Sequence, residues 1–308
     1  MNIIPGTSHP QFASTLAQKL NYNFSPPFIK KFSDGNTFVR LAHNLTSTNY
    51  ILQTIAGKKA NDHFMELLFL LNAAKLSTSQ HHHVIMPFFS YAKSDKLDGP
   101  GTSLRSQVCA QCLQVAGANS IITLDLHSPK VLDFFTIPIT NLAPHPLFLS
   151  YLRTQNELID PIIVSPDQGY QLSAQKYAQE LDCPFAIGQK SRLDDQENID
   201  KIIIDGDFAH KTAIIVDDYT TSGNTILYLA QLLKKRKAKK IIACITHCLL
   251  DSSALLKIKR SPLDLIITTN SVFRSTISPT LAPKIITLDC SDLFATAITA
   301  TPTHSPNP

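Results

Sequence analysis

The sequence predicts an α/β fold with mostly parallel β-sheets. Short runs of β-branched and aliphatic residues, the pattern of buried strands, alternate with longer segments whose apolar residues recur at helical spacing. Chains that alternate in this way build parallel sheets covered by helices. With 44% hydrophobic and 17% charged residues, the 308-residue chain has a globular composition and enough length for two cores of ordinary size.

The predicted strands are short, continuous apolar runs rich in Ile, Val and Leu, which is typical of strands buried on both faces. In chain order they are Tyr50–Thr54, Val84–Pro87, Ser120–Leu124, Ile162–Ser165, Thr212–Val216, Lys240–Ile245 and Leu265–Thr268.

The predicted helices are longer segments with one apolar face, and the first begins at a proline, which is favoured at the first helical position. They are Pro10–Leu20, Asp62–Lys75, Leu104–Ala116, Gln171–Leu181, Thr225–Arg236, Ser252–Ile258 and a last one over Ser291–Ala300.

The bulk composition excludes several classes of function. A net charge of +4 without a long basic stripe does not favour a nucleic-acid partner, and the longest apolar stretches are too short to span a bilayer. The N-terminus shows no secretory pattern. Six cysteines without disulfide spacing are expected to be reduced, so a cytoplasmic location is expected.

The segment Ile214–Thr225 carries the strongest functional signal. A predicted strand is followed by Asp217 and Asp218, and then by a hydroxyl-rich loop that contains Gly223 and precedes a helix. Hydroxyls and backbone N–H groups at a helix N-terminus favour a bound phosphate. An ordinary turn with one Ser or Thr N-cap is the simpler alternative, but it leaves the other hydroxyls and the paired carboxylates unexplained.

This loop resembles the ribose-phosphate loop shared by phosphoribosyltransferases and ribose-phosphate pyrophosphokinases. The resemblance to the pyrophosphokinase family continues along the whole chain. The segments that carry it are Gly6–Pro10, Phe32–Gly35, Asn61–Leu68, Pro87–Lys96, Asp125–Pro138, Ser165–Gly169 and Lys190–Arg192.

The resemblance implies two tandem phosphoribosyltransferase-type domains, over residues 1–143 and 144–300, followed by a disordered tail over residues 301–308. It also implies that the last helix packs back on the first domain. In the family the nucleotide site is built from two subunits, so a homo-oligomer is implied.

The family reaction moves the β,γ-diphosphate of ATP onto the 1-hydroxyl of ribose 5-phosphate, with Mg²⁺ as cofactor. The resemblance implies that ribose 5-phosphate is bound by Asp217, Asp218, Thr221, Ser222, Gly223, Asn224 and Thr225. It also implies that ATP is bound by Phe32, Asp34, Asn36, Lys93 and Ser94, and that His127 and Asp167 lie at the metal. Lys190 and Arg192 are implied as catalytic cations, which suits a transition state with negative charge on its oxygens. From the residues alone, the preferred interpretation is a solvated basic pair on a surface loop over Gly188–Asp195.

Departures from the family pattern cluster on the nucleotide side. Asn36 stands where the family has Glu, and Lys93-Ser94 stands where it has Arg-Gln. Three alternatives stay open: an enzyme with changed nucleotide preference, a weak paralogue that regulates a partner, and an enzyme of the phosphoribosyltransferase type. The presence of His127, Asp167 and the Lys190–Arg192 pair favours the active enzyme.

Overall fold

The structure is a computed structural model and describes residues 1–42, 45, 47–77, 80–155, 158–191, 201–273 and 284–300. At Lys190, Ser191 and Lys201 it describes the backbone only. Among the described residues, no helix is both long enough and apolar enough to cross a membrane.

The strands and helices alternate along most of the chain. The strands are β1 (Asn2–Pro5), β2 (Asn23–Phe24), β3 (Phe28–Lys31), β4 (Thr37–Arg40), β5 (Thr48–Leu52), β6 (His81–Met86), β7 (Ser120–Leu124), β8 (Ile139–Leu142), β9 (Pro161–Ser165), β10 (Phe185–Ser191), β11 (Lys201–Ile204), β12 (Thr212–Thr220), β13 (Lys240–Cys248), β14 (Leu265–Thr269) and β15 (Ile285–Leu288). The helices are α1 (Pro10–Leu20), α2 (Ala60–Lys75), α3 (Arg105–Ala116), α4 (His145–Arg153), α5 (Gln171–Glu180), α6 (Asn224–Lys235), α7 (Ser252–Arg260) and α8 (Ser291–Ala300).

The chain forms two compact units. The first comprises Met1–Leu142, Ser271–Phe273 and the segment from Asp289 that contains α8. The second comprises Ala143–Asn270 and the segment that contains β15.

The first unit is built on a parallel sheet with strand order β2-β1-β5-β6-β7-β8, and β3 and β4 form a separate antiparallel ribbon. One core joins Ile51, Val84 and Ile121 of the sheet to Leu67 of α2 and Leu113 of α3. The strands are rich in Ile and Val because this apolar surface is covered by helices.

The second unit has a sheet with strand order β11-β10-β9-β12-β13-β14-β15, in which only the β10–β11 pair is antiparallel. Both faces are buried. Ile215 lies in a core with Leu229 of α6, whereas the adjacent Ile214 lies in a core with Phe148 of α4 and Tyr177 of α5. The predicted fold class is confirmed.

The C-terminal helix α8 packs on α1, where Phe294 contacts Phe12. It therefore belongs to the first unit, as the resemblance implied, although the predicted range 144–300 placed it with the second domain. Residues 301–308, predicted as a tail, lie outside the described residues.

Two strands are longer than their apolar runs predict. β12 does not end before Asp217 but continues to Thr220, because β13 also continues and pairs Asp217 with Ile245 and Thr220 with Cys248. The helix that follows begins at Asn224, one residue earlier than predicted.

Candidate active site

The hydroxyl-rich loop joins β12 to α6 at the carboxyl end of the second sheet. Thr221 and Ser222 are exposed, and Gly223 has a φ of +73°, a left-handed conformation that L residues rarely adopt. A Cβ at this position would lie 3.3 Å from Cδ2 of Leu250. The first-turn N–H groups of a helix have no acceptor within the helix, so this close turn presents donors suited to an anion. Asn224 and Thr225 lie in that first turn.

The two carboxylates of the motif lie within β12. Asp217 is half-buried and Asp218 is 4% exposed. Adjacent strand residues point to opposite faces, so the carboxylates do not lie side by side on one face. The Oδ1 atom of Asp217 accepts a hydrogen bond from the N–H of Asp218 at 3.1 Å. Carboxylate oxygens accept hydrogen bonds, as binding of sugar hydroxyls requires.

Asp167 lies in the turn that follows β9. Its Oδ1 accepts a hydrogen bond from the N–H of Gly169 at 2.9 Å, and the hydroxyl of Ser165 donates to its carbonyl at 2.7 Å. The carboxylate is half-buried and has a fixed orientation.

Lys190 lies in β10, paired with Ile202 of β11, and Arg192 lies outside the described residues. The predicted surface loop over Gly188–Asp195 therefore begins as a strand, because β11 pairs with residues 188–191. A Cβ on Gly188 would lie 2.4 Å from the carbonyl oxygen of Pro166. Only glycine therefore lets β10 pass the turn that holds Asp167. Gly188 is not among the site residues predicted from the sequence, although a glycine within a strand is a known sign of close approach.

In the first unit, His127 follows β7 in a loop held by β8. The N–H of Asp125 donates to the carbonyl of Leu142 at 3.0 Å, and the N–H of Leu126 donates to Oδ1 of Asn141 at 3.0 Å. His127 is half-buried at this carboxyl end, where α/β sheets bind ligands.

The predicted ATP segment at Phe32–Asn36 is the turn of the β3–β4 ribbon. The N–H of Phe32 donates to the carbonyl of Asn36 at 2.8 Å, and the carboxylate of Asp34 accepts from the N–H of Asn36 at 2.9 Å. Gly35 has a φ of +88°. The ring of Phe32 is 43% exposed, with Nζ of Lys30 5.1 Å from its centroid.

In the second predicted ATP segment, Lys93-Ser94, the two side chains differ in exposure to solvent. Lys93 is exposed at the end of the 3₁₀ helix Ser90–Lys93. Ser94 is 3% exposed, and its hydroxyl faces the first turn of α3.

Residues next to both predicted ATP segments form hydrogen bonds with the first turn of α2. The carboxylate of Asp62 accepts a hydrogen bond from Nζ of Lys31 at 2.6 Å, and this bond lowers the pKa of Asp62. The hydroxyl of Tyr91 donates to Oδ1 of Asn61. The structure thus brings the ribbon and the Lys93-Ser94 segment to one helix end within the first unit. In the second unit it likewise brings the Asp167 turn close to the strand of Lys190.

Among the described residues, no group of three or more His, Cys, Asp or Glu side chains is arranged to hold a metal ion. Mg²⁺ usually takes only one or two protein carboxylates and completes its shell with substrate phosphates and water. The carboxylates of Asp167, Asp217 and Asp218 are donors of this kind.

Two family models match the chain. The N-terminal domain of ribose phosphate pyrophosphokinase matches residues 1–117, and the phosphoribosyl synthetase-associated domain matches residues 191–304. Ribose-phosphate pyrophosphokinase 4 of Saccharomyces cerevisiae is 34% identical over 300 residues, which cover 97% of this chain and 90% of that protein. The chain belongs to the ribose-phosphate pyrophosphokinase family.

Other members of the family show similar coverage. The ribose-phosphate pyrophosphokinase of Aquifex aeolicus is 32% identical over 272 residues, which cover 88% of this chain and 87% of that protein. The crystal structure of phosphoribosylpyrophosphate synthetase from Mycobacterium smegmatis matches with a TM-score of 0.89 and 27% identity, and covers 97% of both chains. The resemblance found in the sequence is therefore confirmed.

Proposed function

We propose that this member of the ribose-phosphate pyrophosphokinase family transfers the β,γ-diphosphate of ATP to the 1-hydroxyl of ribose 5-phosphate. The products are phosphoribosyl pyrophosphate and AMP. The observation that carries the proposal is the loop from Thr221 to Thr225, in which a left-handed glycine precedes the N-terminus of α6. Such a loop suits a terminal phosphate, and the carboxylates of Asp217 and Asp218 beside it suit sugar hydroxyls.

Residues of the first unit serve the nucleotide in this proposal. The exposed ring of Phe32 offers a face for adenine, since aromatic rings stack on bases. Asp34 and Asn36 offer acceptors at the same turn, and Lys93 offers a cation for the phosphates. Ser94 acts through the backbone that it holds, because its side chain is buried.

Mg²⁺ is the proposed cofactor, with Asp167 as an oxygen donor and His127 near the ATP phosphates. When bound, the ion would neutralise charge on the phosphate oxygens. The fixed orientation of Asp167 suits this role, since its turn is already hydrogen-bonded.

Lys190 and Arg192 are the proposed catalytic cations. A cation that stabilises charge only in the transition state affects turnover more than substrate binding. Lys190→Ala should therefore reduce kcat by orders of magnitude and leave the Kd for ribose 5-phosphate within a few-fold of the original value. An exposed lysine of the same unit provides the matched control, Lys239→Ala, which should keep full activity. Equal losses in kcat and in ribose 5-phosphate affinity would contradict the role of Lys190.

A homo-oligomer in the cytoplasm is also proposed. The β3–β4 ribbon exposes Phe28, Phe32 and Phe38 together, with the rings in edge contact, and an aromatic surface of this kind favours association. All six cysteines are free thiols, which favours a reducing compartment. Light scattering during gel filtration tests the oligomer, and a monomer at micromolar concentration would contradict it.

A further inference from the structure

Ser94 caps helix α3 from a distance. Leu104 precedes this helix and has no side-chain acceptor for its first N–H groups. The hydroxyl of Ser94 accepts from the N–H of Arg105 at 3.4 Å. Its carbonyl accepts from the N–H of Ser106 at 3.4 Å and from the Ser106 hydroxyl at 2.8 Å. Ser94 thus accepts hydrogen bonds from the first turn of α3 as an N-cap residue would, although it lies eleven residues before the helix begins.

The same hydroxyl orients the side chain of Arg105. The Nε–H of Arg105 donates to Oγ of Ser94 at 3.1 Å. A guanidinium has five N–H donors, so four remain on its two Nη atoms. Within the described part of the chain, these Nη atoms have no other hydrogen-bond or ion-pair partner, and Arg105 is exposed. The guanidinium is therefore fixed through Nε, and its Nη atoms are available to a ligand.

Two cations consequently flank one turn of the first unit. Lys93 is adjacent to Ser94 in the chain, and Arg105 is bound to Ser94 across space. Asp95 is the neighbouring carboxylate in sequence, so the turn keeps a net positive charge. Lysine is a compact point charge, whereas arginine presents a planar fork that matches two phosphate oxygens.

We propose that Arg105 binds the phosphates of the nucleoside triphosphate donor and supplies the bidentate contact that Lys93 cannot make. Ser94 is a positioning residue that fixes both the helix start and the guanidinium. This inference rests on the proposed function, since it assigns a further residue to the donor side of that reaction. Arg105 was absent from the residues predicted for ATP, because nothing in the sequence connects it with Ser94.

The test measures the affinity for α,β-methylene-ATP with Mg²⁺, whose α–β bond cannot be cleaved, by calorimetry on the full chain. Arg105→Gln should weaken binding at least tenfold and leave the Kd for ribose 5-phosphate within twofold. Arg105→Lys should recover only part of the loss, because it restores charge but not the fork. The control Arg260→Gln, an exposed arginine of the second unit, should bind as the original chain does.

Ser94→Ala separates positioning from charge. This variant should weaken binding of the analogue by a smaller factor than Arg105→Gln does. It should also lower the melting temperature, because α3 loses its cap. If Arg105→Gln binds the analogue within twofold of the original chain while that chain converts ATP and ribose 5-phosphate, the inference is wrong and the proposed function stands. If the original chain neither binds the analogue nor forms product, both are wrong.

Discussion

Phe294 of the C-terminal helix packs edge-on against Phe12 of the first helix, with ring centroids 5.5 Å apart and an interplanar angle of 87°. Both rings are almost completely buried. Aromatic pairs prefer this geometry, so the contact joins helices α1 and α8 within the first unit.

Phe294→Ala should therefore destabilise the first unit by about 3–5 kcal/mol, the usual range for loss of a buried phenylalanine. Urea denaturation followed by circular dichroism measures this. Thr299→Ala, on an exposed position of the same helix, is the control and should change the free energy of unfolding by less than about 0.5 kcal/mol. If Phe294→Ala changed the free energy of unfolding as little as Thr299→Ala does, α8 would contribute little to the first core.

Gly188 should tolerate no side chain. A Cβ there would lie 2.4 Å from the carbonyl of Pro166, so Gly188→Ala should destabilise the second unit by roughly 1–3 kcal/mol and reduce kcat through displacement of β10. Gly99→Ala is a matched control, since a Cβ at that position meets no atom within 4 Å. Thermal unfolding and steady-state rates measure both effects. An active and stable Gly188→Ala enzyme would refute the close approach.

Substitutions at two glycines with positive φ should change the KM values for the two substrates independently. Gly223→Ala strains the proposed ribose-phosphate loop by about 1–2 kcal/mol, so the KM for ribose 5-phosphate should rise with little change in the KM for ATP. Gly35→Ala strains the β3–β4 turn and should have the opposite pattern. Steady-state kinetics with each substrate varied in turn measures both values. Parallel changes in both KM values would indicate general loss of structure instead.

Stability should fall as the pH decreases below about 6.5. Burial lowers the pKa of His63, His82 and His145 from the ordinary value of 6.5, and the nearby His81 lowers that of His82 further. The unfolded chain therefore binds more protons below pH 6.5, so the stabilisation is present above that pH and is lost as the pH falls through the lowered values.

His82 is the residue to vary, because it is 4% exposed and, within the described part of the chain, its Nδ1 has no hydrogen-bond partner. In His82→Gln, the melting temperature should decrease less between pH 7.5 and 5.0 than in the original chain. In the exposed control His210→Gln, the melting temperature should have the same slope against pH as in the original chain. The pH-dependent contribution of His82 would be disproved by identical slopes in His82→Gln and the original chain.

The sequence predicted those elements whose apolar pattern is continuous. Ser120–Leu124 and Pro10–Leu20 have the predicted bounds. It missed β1, in which the side chain of Asn2 is buried and donates to Asn49 of β5 at 2.8 Å. A polar residue that is satisfied by a partner 47 positions away leaves no local signal.

The candidate site shows the same limit. The glycine and hydroxyls of the loop from Thr221 to Thr225 are local features, so the sequence alone predicts a phosphate loop there. Asp217 and Asp218 are poor strand residues, yet pairing with β13 keeps them in the sheet. Tertiary contacts likewise determine the surroundings of Ser94 and Gly188, since their partners, Arg105 and Pro166, lie far away in sequence.

Phosphorus NMR of the purified chain with ATP, ribose 5-phosphate and Mg²⁺ tests the proposed reaction most directly. Diphosphoryl transfer predicts that AMP and phosphoribosyl pyrophosphate appear in equal amounts, with no accumulation of ADP. Formation of ADP would contradict it, because only one phosphoryl group would then have moved. It would also be contradicted if no product formed while ribose 5-phosphate still bound, the behaviour expected of a regulatory paralogue.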